Sequence, residues 1–532
     1  MSQAPACDYC RHRKRRCDRE TPRCSLCVIK NKECRYTEHM RWVFPDQSSM
    51  REETPDLESS SQRSSQPSGD VVEFPGVYFL DRDVFDKSGV TIPVAKFQLD
   101  QSILTTFDQA SEISSRYFTW IHLWMPIVSK AKWKRITGPL ARPNCDVKLL
   151  LFAMKVLLWT PPDQVALRNP RHQDYLLLKH HLSRAQDAGV LSLELLQTWI
   201  LVTIYEYSHA IYPAAYVSIG VCFRYSLALG INKQRRNEMD TASTTSDATE
   251  ERRRVWWSVV ILDRMVSRSS DGPEPRSDDL LPVLDQAWDD GKIDHSGSCP
   301  VSAPSSTNMG MLARLAQSAF LLGRVYRWKN HPTGDVDFDR SEKHQLDRAL
   351  RALLNLTYEE GAVFLMAICP QIALCFSALV LLHSDDPIPR SSLTSHDAIS
   401  TVDGLYKASV QDDTTAAIQT LIFLRPIATE SNANIQLFFR RQPWSIETSS
   451  PLLLHWTYLT AVTFLQINNC LRKVQGSSEL DAAFLEHTKG FQKEAELGAE
   501  SMKRKLSLLG KQWLAADTYL KMIEARETGM DD

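Results

Sequence analysis

Residues 7–34 read CDYCRHRKRRCDRETPRCSLCVIKNKEC, and they hold six of the twelve cysteines in this chain of 532 residues. The spacing C-x2-C-x6-C occurs twice, and the second copy is the first shifted by 17 positions. The segment is therefore an internal repeat, whereas the other six cysteines are scattered downstream. The repeated cysteines are Cys7, Cys10, Cys17, Cys24, Cys27 and Cys34.

Thiolates at this spacing indicate a metal site. A tetrahedral zinc ion takes four ligands, so six sulfurs serve two ions only if two of them bridge both metals. The symmetry of the repeat assigns the bridges to the first cysteine of each triplet, Cys7 and Cys24. The sequence thus predicts two Zn²⁺ ions held by all six cysteines. Metal binding would supply most of the folding energy, because the segment has no comparable apolar core.

Two other assignments of the cysteines stay open. One is a single four-cysteine zinc site made of Cys7, Cys10, Cys24 and Cys27, which leaves Cys17 and Cys34 unused and ignores the repeat. The other is a disulfide framework. It is disfavoured because the N-terminus passes into basic residues without the apolar run of a secretory signal, so we expect a reducing compartment.

A run of cations lies between the second and third cysteines, where five of the six residues at 11–16 are Arg or Lys. Residues 1–44 carry eleven Lys and Arg against five Asp and Glu, while the remainder carries 51 against 59. Six thiolates and two zinc ions together carry a charge of about −2, so only part of the basic run offsets the cluster. The rest is available for an anionic partner, and double-stranded DNA is the one predicted.

The cysteine spacing, the basic run after the second cysteine and Pro22 in the loop between the halves closely resemble the fungal Zn2Cys6 binuclear cluster family of transcription factors. That resemblance implies base contacts by the third and fourth residues after the second cysteine, Arg13 and Lys14, with the lysine reading a CGG triplet. Both side chains can reach guanine O6 and N7. Phosphate contacts or neutralisation of the cluster charge are expected for five other arginines, which are Arg11, Arg15, Arg16, Arg19 and Arg23.

The basic run also has a simpler reading, a nuclear-import signal alone, and one segment can serve both roles. Either way the expected location is the nucleus. The module is taken as residues 1–44, and residues 45–73 are predicted to be a flexible linker, because residues 47–69 offer eight serines and few apolar side chains.

The sequence of residues 74–525 predicts a large all-helical domain. Apolar residues recur there at helical spacing, and apolar and polar residues show no sustained alternation of period two. A helical stretch runs from Leu193 to about Gly230. The fold class is thus a small two-helix zinc module joined by a disordered linker to a large all-α regulatory domain.

This helical domain, residues 74–525 and called the body below, resembles the helical fungal-specific transcription factor domain. Residues 251–264 and Gly272-Pro273 are the best sequence marker of that resemblance. Residues 117–127 and 214–230 resemble two further signatures of that domain. Residues 79–81 are similar to a variant common among regulators of local metabolic gene clusters. Within the marker we expect Trp256, Trp257 and Leu262 in the core, and buried ion pairs of Arg254 with Asp263 or Arg264 with Asp271.

Three other features have competing interpretations. The acidic stretch 278–290 is either an activation segment or, as the resemblance implies, an ordered loop. The apolar stretch Gly361–Leu382 has the length of a membrane span, but Pro370 divides it into pieces typical of buried helices. His180 and His181 lack partners at metal spacing and are expected on a solvated helix face.

Three classes of function remain to compare. A transcription regulator that binds DNA accounts for every feature, with the body contacting transcription machinery or co-regulators. An interaction protein with a docking zinc module is disfavoured by Arg13 and Lys14. An enzyme is not predicted, because no nucleophile, metal-water or phosphate-loop motif is found. No apolar heptad follows the cysteines, so we expect binding as a monomer or as a homodimer formed through the helical domain.

Overall fold

The computed structural model describes residues 10, 17–18, 23–30, 32, 34, 98–138, 143–164, 167–232, 246–268, 272–293, 298–304, 306–384, 411–440, 445–475 and 482–529. The chain divides into two compact units, Met1–Gly69 and Asp70–Asp532. The predicted linker 45–73 and the signature at 79–81 lie outside the described residues.

The described backbone is helical and contains no strand, so the all-helical prediction is confirmed. The only strand-like pairing among these residues is an isolated bridge between Leu280 and Pro300. The helices are α1 (Ser25–Ile29), α2 (Gln101–Thr106), α3 (Ala110–Trp120), α4 (Lys130–Ile136), α5 (Cys145–Leu157), α6 (Gln173–Asp187), α7 (Leu193–Ser208), α8 (Ala214–Ala228), α9 (Ser246–Val266), α10 (Asp285–Asp289), α11 (Met311–Asn330), α12 (Val336–His383), α13 (Gln411–Arg440), α14 (Leu452–Gln475), α15 (Ala482–Leu509) and α16 (Ala515–Thr528).

Helix α7 lies in the centre of the first half of the body. All its side chains from Leu195 to Ser208 are buried, and it packs against α5, α8 and α9. The Ser192 hydroxyl caps its start by accepting a hydrogen bond from the Leu195 amide at 3.1 Å. A helix that is apolar on all sides needs partners all round, so α7 organises the core that continues from Ile103 to Ile523.

The predicted helical stretch from Leu193 to Gly230 is two helices rather than one. The break falls at residues 209–213, where Ala210 has a φ of 54° and Pro213 has no backbone N–H to donate. The apolar residues of both helices face the same core, so the hydrophobic pattern alone does not reveal where the first helix ends.

Helix α12 contains most of the apolar stretch that suggested a membrane span. Pro370 lies inside this helix, and the side chains from Pro370 to Val380 are buried. None of the described helices is apolar enough over a sufficient length to cross a membrane.

The marker segment lies on α9 and buries charge as well as apolar surface. Arg254 is fully buried, and it donates from Nε to Glu250 Oε1 at 2.9 Å and from Nη1 to Asp285 Oδ1 at 2.6 Å. The predicted pair of Arg254 with Asp263 is therefore wrong. Glu250 is one turn away on the same face of the helix, whereas Asp263 lies two and a half turns further on.

Arg264 also has a partner other than the predicted one. Its Nη1 is 2.9 Å from Asp263 Oδ2, and its Nη2 donates to the Pro273 carbonyl at 2.6 Å. Asp271 lies outside the described residues. Gly272 is required beside this pair, because a Cβ there would lie 2.0 Å from Asp263 Oδ2. The Gly-Pro of the marker therefore packs onto the ion pair.

The marker's apolar residues are in the core as predicted, with Trp256, Trp257 and Leu262 all buried. The Trp257 indole also donates to the Leu280 carbonyl at 2.8 Å. This hydrogen bond connects α9 to the acidic stretch 278–290.

The acidic stretch 278–290 is an ordered loop ending in α10, as the family resemblance implied. Trp288 is buried, and the Arg254 guanidinium lies 4.1 Å from its ring centre. Asp289 accepts hydrogen bonds from Lys130 and from His122 Nε2, the latter at 3.0 Å. Because most of its apolar side chains are buried and several of its acidic side chains have internal partners, the structure favours the ordered loop over the activation segment.

The prediction for the two adjacent histidines is half right. His180 is exposed, but His181 is fully buried, with Nε2 at 3.3 Å from Asp100 Oδ2. His181 falls on the same face of α6 as the buried Leu178 and Leu182, because these positions are three and four residues apart.

Candidate metal and DNA-binding site

Five of the six predicted ligands lie within the described residues, and the structure brings them together in two groups. In each group the three Sγ atoms lie within 4.8 Å of one another. The first group is Cys10, Cys17 and Cys24, and the second is Cys24, Cys27 and Cys34. Cys24 thus belongs to both groups. Cys7 lies outside the described residues.

The spacing of the sulfurs fits tetrahedral zinc. Zn–S bonds of about 2.3 Å place two ligand sulfurs about 3.8 Å apart, and Cys10 Sγ is 3.6 Å from Cys24 Sγ. Three of the cysteines, Cys10, Cys24 and Cys27, have no exposed surface, and their small cluster contains little besides cysteine. Bound zinc would supply folding energy there, since the donor set is thiolate and apolar packing is scarce.

Helix α1 positions the second half of the module. Cys24 precedes the helix, and Cys27 lies in its first turn. The Asp18 carboxylate accepts a hydrogen bond from the Ser25 amide at 3.0 Å, which satisfies a free N–H at the helix start. The Cys24 amide donates to Cys34 Sγ at 3.3 Å, so the last cysteine is oriented by the first of its triplet.

Asp18 was missed by the sequence reasoning. Its signal is an acidic residue directly after the third cysteine, seven positions before the amide that it caps. Such a distant cap cannot be recognised from local capping patterns, which span three residues.

Most of the predicted DNA contacts lie outside the described residues. These are Arg11, Arg13, Lys14, Arg15, Arg16 and Arg19. Arg23 is described and exposed, and its guanidinium donates to the Lys32 carbonyl at 2.8 Å. Part of its hydrogen-bonding capacity therefore joins the loop between the halves to the loop after α1.

The exposed side chains of α1 differ in type from the residues at the equivalent sequence positions of the first half. Val28 is 55% exposed and Ile29 79% exposed. The 17-residue repeat relates these positions to Arg11 and His12. The two halves thus share a cysteine framework but carry different side chains at equivalent positions.

Two family models match the chain, one in part of each unit. The fungal Zn(2)-Cys(6) binuclear cluster domain matches residues 5–42, and the fungal specific transcription factor domain matches residues 114–272. No solved structure matches the chain.

Similar proteins are regulators from fungi. The pigment biosynthesis transcriptional activator pigB of Monascus ruber is 24% identical over 54% of this chain, and the citrinin biosynthesis transcriptional activator mrl3 of Monascus ruber is 23% identical over 54% of it. These matches span 56% and 65% of the relatives' own lengths. The transcription factor BOA15 of Botryotinia fuckeliana is 33% identical over 30% of this chain and 87% of that protein. The chain therefore belongs to the fungal Zn(2)-Cys(6) binuclear cluster transcription factors, whose cluster domain binds two zinc ions.

Proposed function

We propose that this protein is a sequence-specific DNA-binding regulator of RNA polymerase II genes, which acts in the nucleus and recognises CGG-type half-sites. The observation that carries the proposal is the presence of Cys24 in both thiolate groups, on a module whose other half has the basic run. A shared sulfur is what six ligands need to hold two zinc ions.

The proposed ligand set is all six cysteines, with Cys7 and Cys24 bridging. The two described groups support it, because each supplies three sulfurs and a bridge from Cys7 would complete four ligands for both ions. The 17-residue repeat places Cys7 in the first half where Cys24 stands in the second.

The proposed reading surface is the first half, with Arg13 and Lys14 on base edges and the neighbouring arginines on phosphates. Its support is the contrast with the second half. Helix α1 exposes Val28 and Ile29, and the equivalent positions of the first half are cationic or polar. A surface that presents cations rather than aliphatic side chains is the one suited to phosphate.

The proposed biological role is control of a local secondary-metabolic gene cluster. Support comes from the relatives, two of which are named as activators of pigment and of citrinin biosynthesis. In this scheme residues 1–44 bind DNA, residues 45–73 link, and residues 74–525 regulate, contact the transcription machinery and, where the protein dimerises, form the homodimer.

Selection of binding sites from a random DNA pool tests the proposal, with zinc-loaded wild type and Lys14→Ala compared at one salt concentration. We expect enrichment of CGG triplets by the wild type and its loss in the variant. The number and spacing of the triplets will distinguish a monomer from a dimer. Salt-sensitive binding without enrichment would contradict base recognition and leave the module as an electrostatic anchor.

A further inference from the structure

Arg268 lies two residues after the end of α9. Its φ of 50° is left-handed, which is uncommon for a residue with a side chain. One of its terminal nitrogens donates to the Tyr519 hydroxyl at 3.3 Å. Among the described residues no carboxylate lies within ion-pair distance of it. The guanidinium is thus hydrogen-bonded to a hydroxyl rather than to a carboxylate.

Four tyrosines interact electrostatically with this guanidinium. Tyr207 lies in the last turn of α7, Tyr212 follows that helix, Tyr326 lies on α11 and Tyr519 on α16. Burial raises the pKa of Tyr207 and of Tyr326, the latter to about 12. These hydroxyls are therefore uncharged at neutral pH, where they can share hydrogen bonds but supply no negative charge.

A second polar group faces the same place without a partner. His455 of α14 is 4% exposed, and its Nδ1 has no hydrogen-bond partner among the described residues. Burial and the positive charge of Arg268 lower its pKa well below the usual value, so the ring is neutral. The ring centre lies 6.4 Å from that of Tyr519, which in turn stacks on Tyr458 at 4.8 Å. A buried polar atom left unpaired calls for an explanation.

The cluster is open to solvent on one side. Tyr212 is 48% exposed and Arg268 is partly exposed, whereas Tyr207, Tyr519 and His455 are buried. The guanidinium is therefore not sealed from solvent, whereas its hydrogen-bond partner Tyr519 is buried.

We propose that this cluster of Arg268, Tyr207, Tyr212, Tyr519 and His455 binds the carboxylate of a small aromatic acid. A carboxylate supplies the negative charge that the guanidinium lacks and matches its planar pair of donors. Phenol hydroxyls and an imidazole N–H can donate to the same oxygens, and tyrosine faces can stack on an aromatic ring. The proposal is independent of DNA recognition by the zinc module.

The ligand would connect parts of the body that are distant in sequence. Tyr207 lies in the last turn of α7 and Arg268 follows α9, whereas His455 and Tyr519 belong to α14 and α16. A ligand bound to all of them stabilises the folded body by mass action, so its occupancy is measurable as a rise in melting temperature.

Saturation-transfer NMR with benzoate on the zinc-loaded full chain tests the proposal, with benzamide as the uncharged analogue. Up to about 10 mM benzoate is added, so that even a millimolar site is occupied. We expect benzoate to bind and to raise the melting temperature. The affinity for benzamide should be lower by about tenfold or more. No saturation transfer to benzoate, or equal binding of the two compounds, overturns the proposal.

Single-residue variants test whether benzoate binds at this cluster rather than elsewhere on the chain. Arg268→Gln and the milder Tyr519→Phe are expected to weaken benzoate binding, the former by about tenfold or more. Arg340→Gln removes the same charge from an exposed position and is expected to bind as the wild type does. Circular dichroism verifies that each variant is folded, and Tyr519→Phe keeps the test valid where Arg268→Gln does not fold. Unchanged binding by a folded cluster variant overturns the assignment.

Discussion

Replacement of Arg254 by methionine removes the centre of the buried ion network. Glu250 would remain fully buried, with Arg253 at 2.9 Å and the Val283 amide at 2.9 Å as its remaining described partners. Asp285 would lose a partner at 2.6 Å, although it is 23% exposed and can be hydrated. Loss of one member of a buried pair typically costs about 3 to 5 kcal/mol. We expect a decrease of this size in the free energy of unfolding.

The assay is urea unfolding of the full chain, followed by tryptophan fluorescence. Arg340→Met is the matched control, because Arg340 is exposed and pairs with the exposed Asp337, so we expect a change within about 0.5 kcal/mol. Glu250→Gln completes a double-mutant cycle with Arg254→Met, and the double variant should lose less stability than the two single losses together. A loss below about 1 kcal/mol for Arg254→Met would refute the reasoning.

Three further predictions follow from single positions. Gly272→Ala forces a Cβ against Asp263 and should lower the free energy of unfolding by roughly 1 to 3 kcal/mol. Gly220→Ala has open space on helix α8 and should raise it by roughly 0.5 to 1 kcal/mol. Urea unfolding of both variants measures these changes, and equal effects would contradict the prediction. His209 is buried, and burial lowers its pKa to about 3. Acidification below the unfolded pKa of about 6.5 therefore favours the unfolded state, by about 2 kcal/mol between pH 7 and 5, and His209→Gln should lose this part of the pH dependence. Cys24→Ala removes a ligand of both proposed zinc sites and should abolish DNA binding in a mobility-shift assay, and a variant that kept two zinc ions would contradict the bridging role.

The zinc module could be predicted from sequence because its information is local. Cysteines at a repeated spacing specify ligand chemistry and stoichiometry without knowledge of the rest of the chain. The all-helical class was likewise available from the hydrophobic period. The core positions of Trp256 and Trp257 followed from residue type alone.

The partners of buried charges could not be predicted, because they depend on tertiary packing. Arg254 reaches Asp285, which lies 31 residues away in sequence and on another element. His181 is buried because α6 turns that face to the core; its helical spacing from Leu178 and Leu182 indicated this face, but its carboxylate partner Asp100 lies on a distant segment. The cluster around Arg268 combines four separate regions of the chain, so no motif could indicate it.

The zinc content of the full chain, measured by native mass spectrometry for wild type and for Cys17→Ser, tests the central claim most directly. Cys17 separates the two metal assignments, because the binuclear cluster uses it and a single site of Cys7, Cys10, Cys24 and Cys27 does not. Cys222→Ala, in the core of the helical body, is the control. We expect two zinc ions in the wild type and in the control, and fewer in Cys17→Ser. One zinc ion in the wild type, retained in Cys17→Ser, would contradict the binuclear cluster.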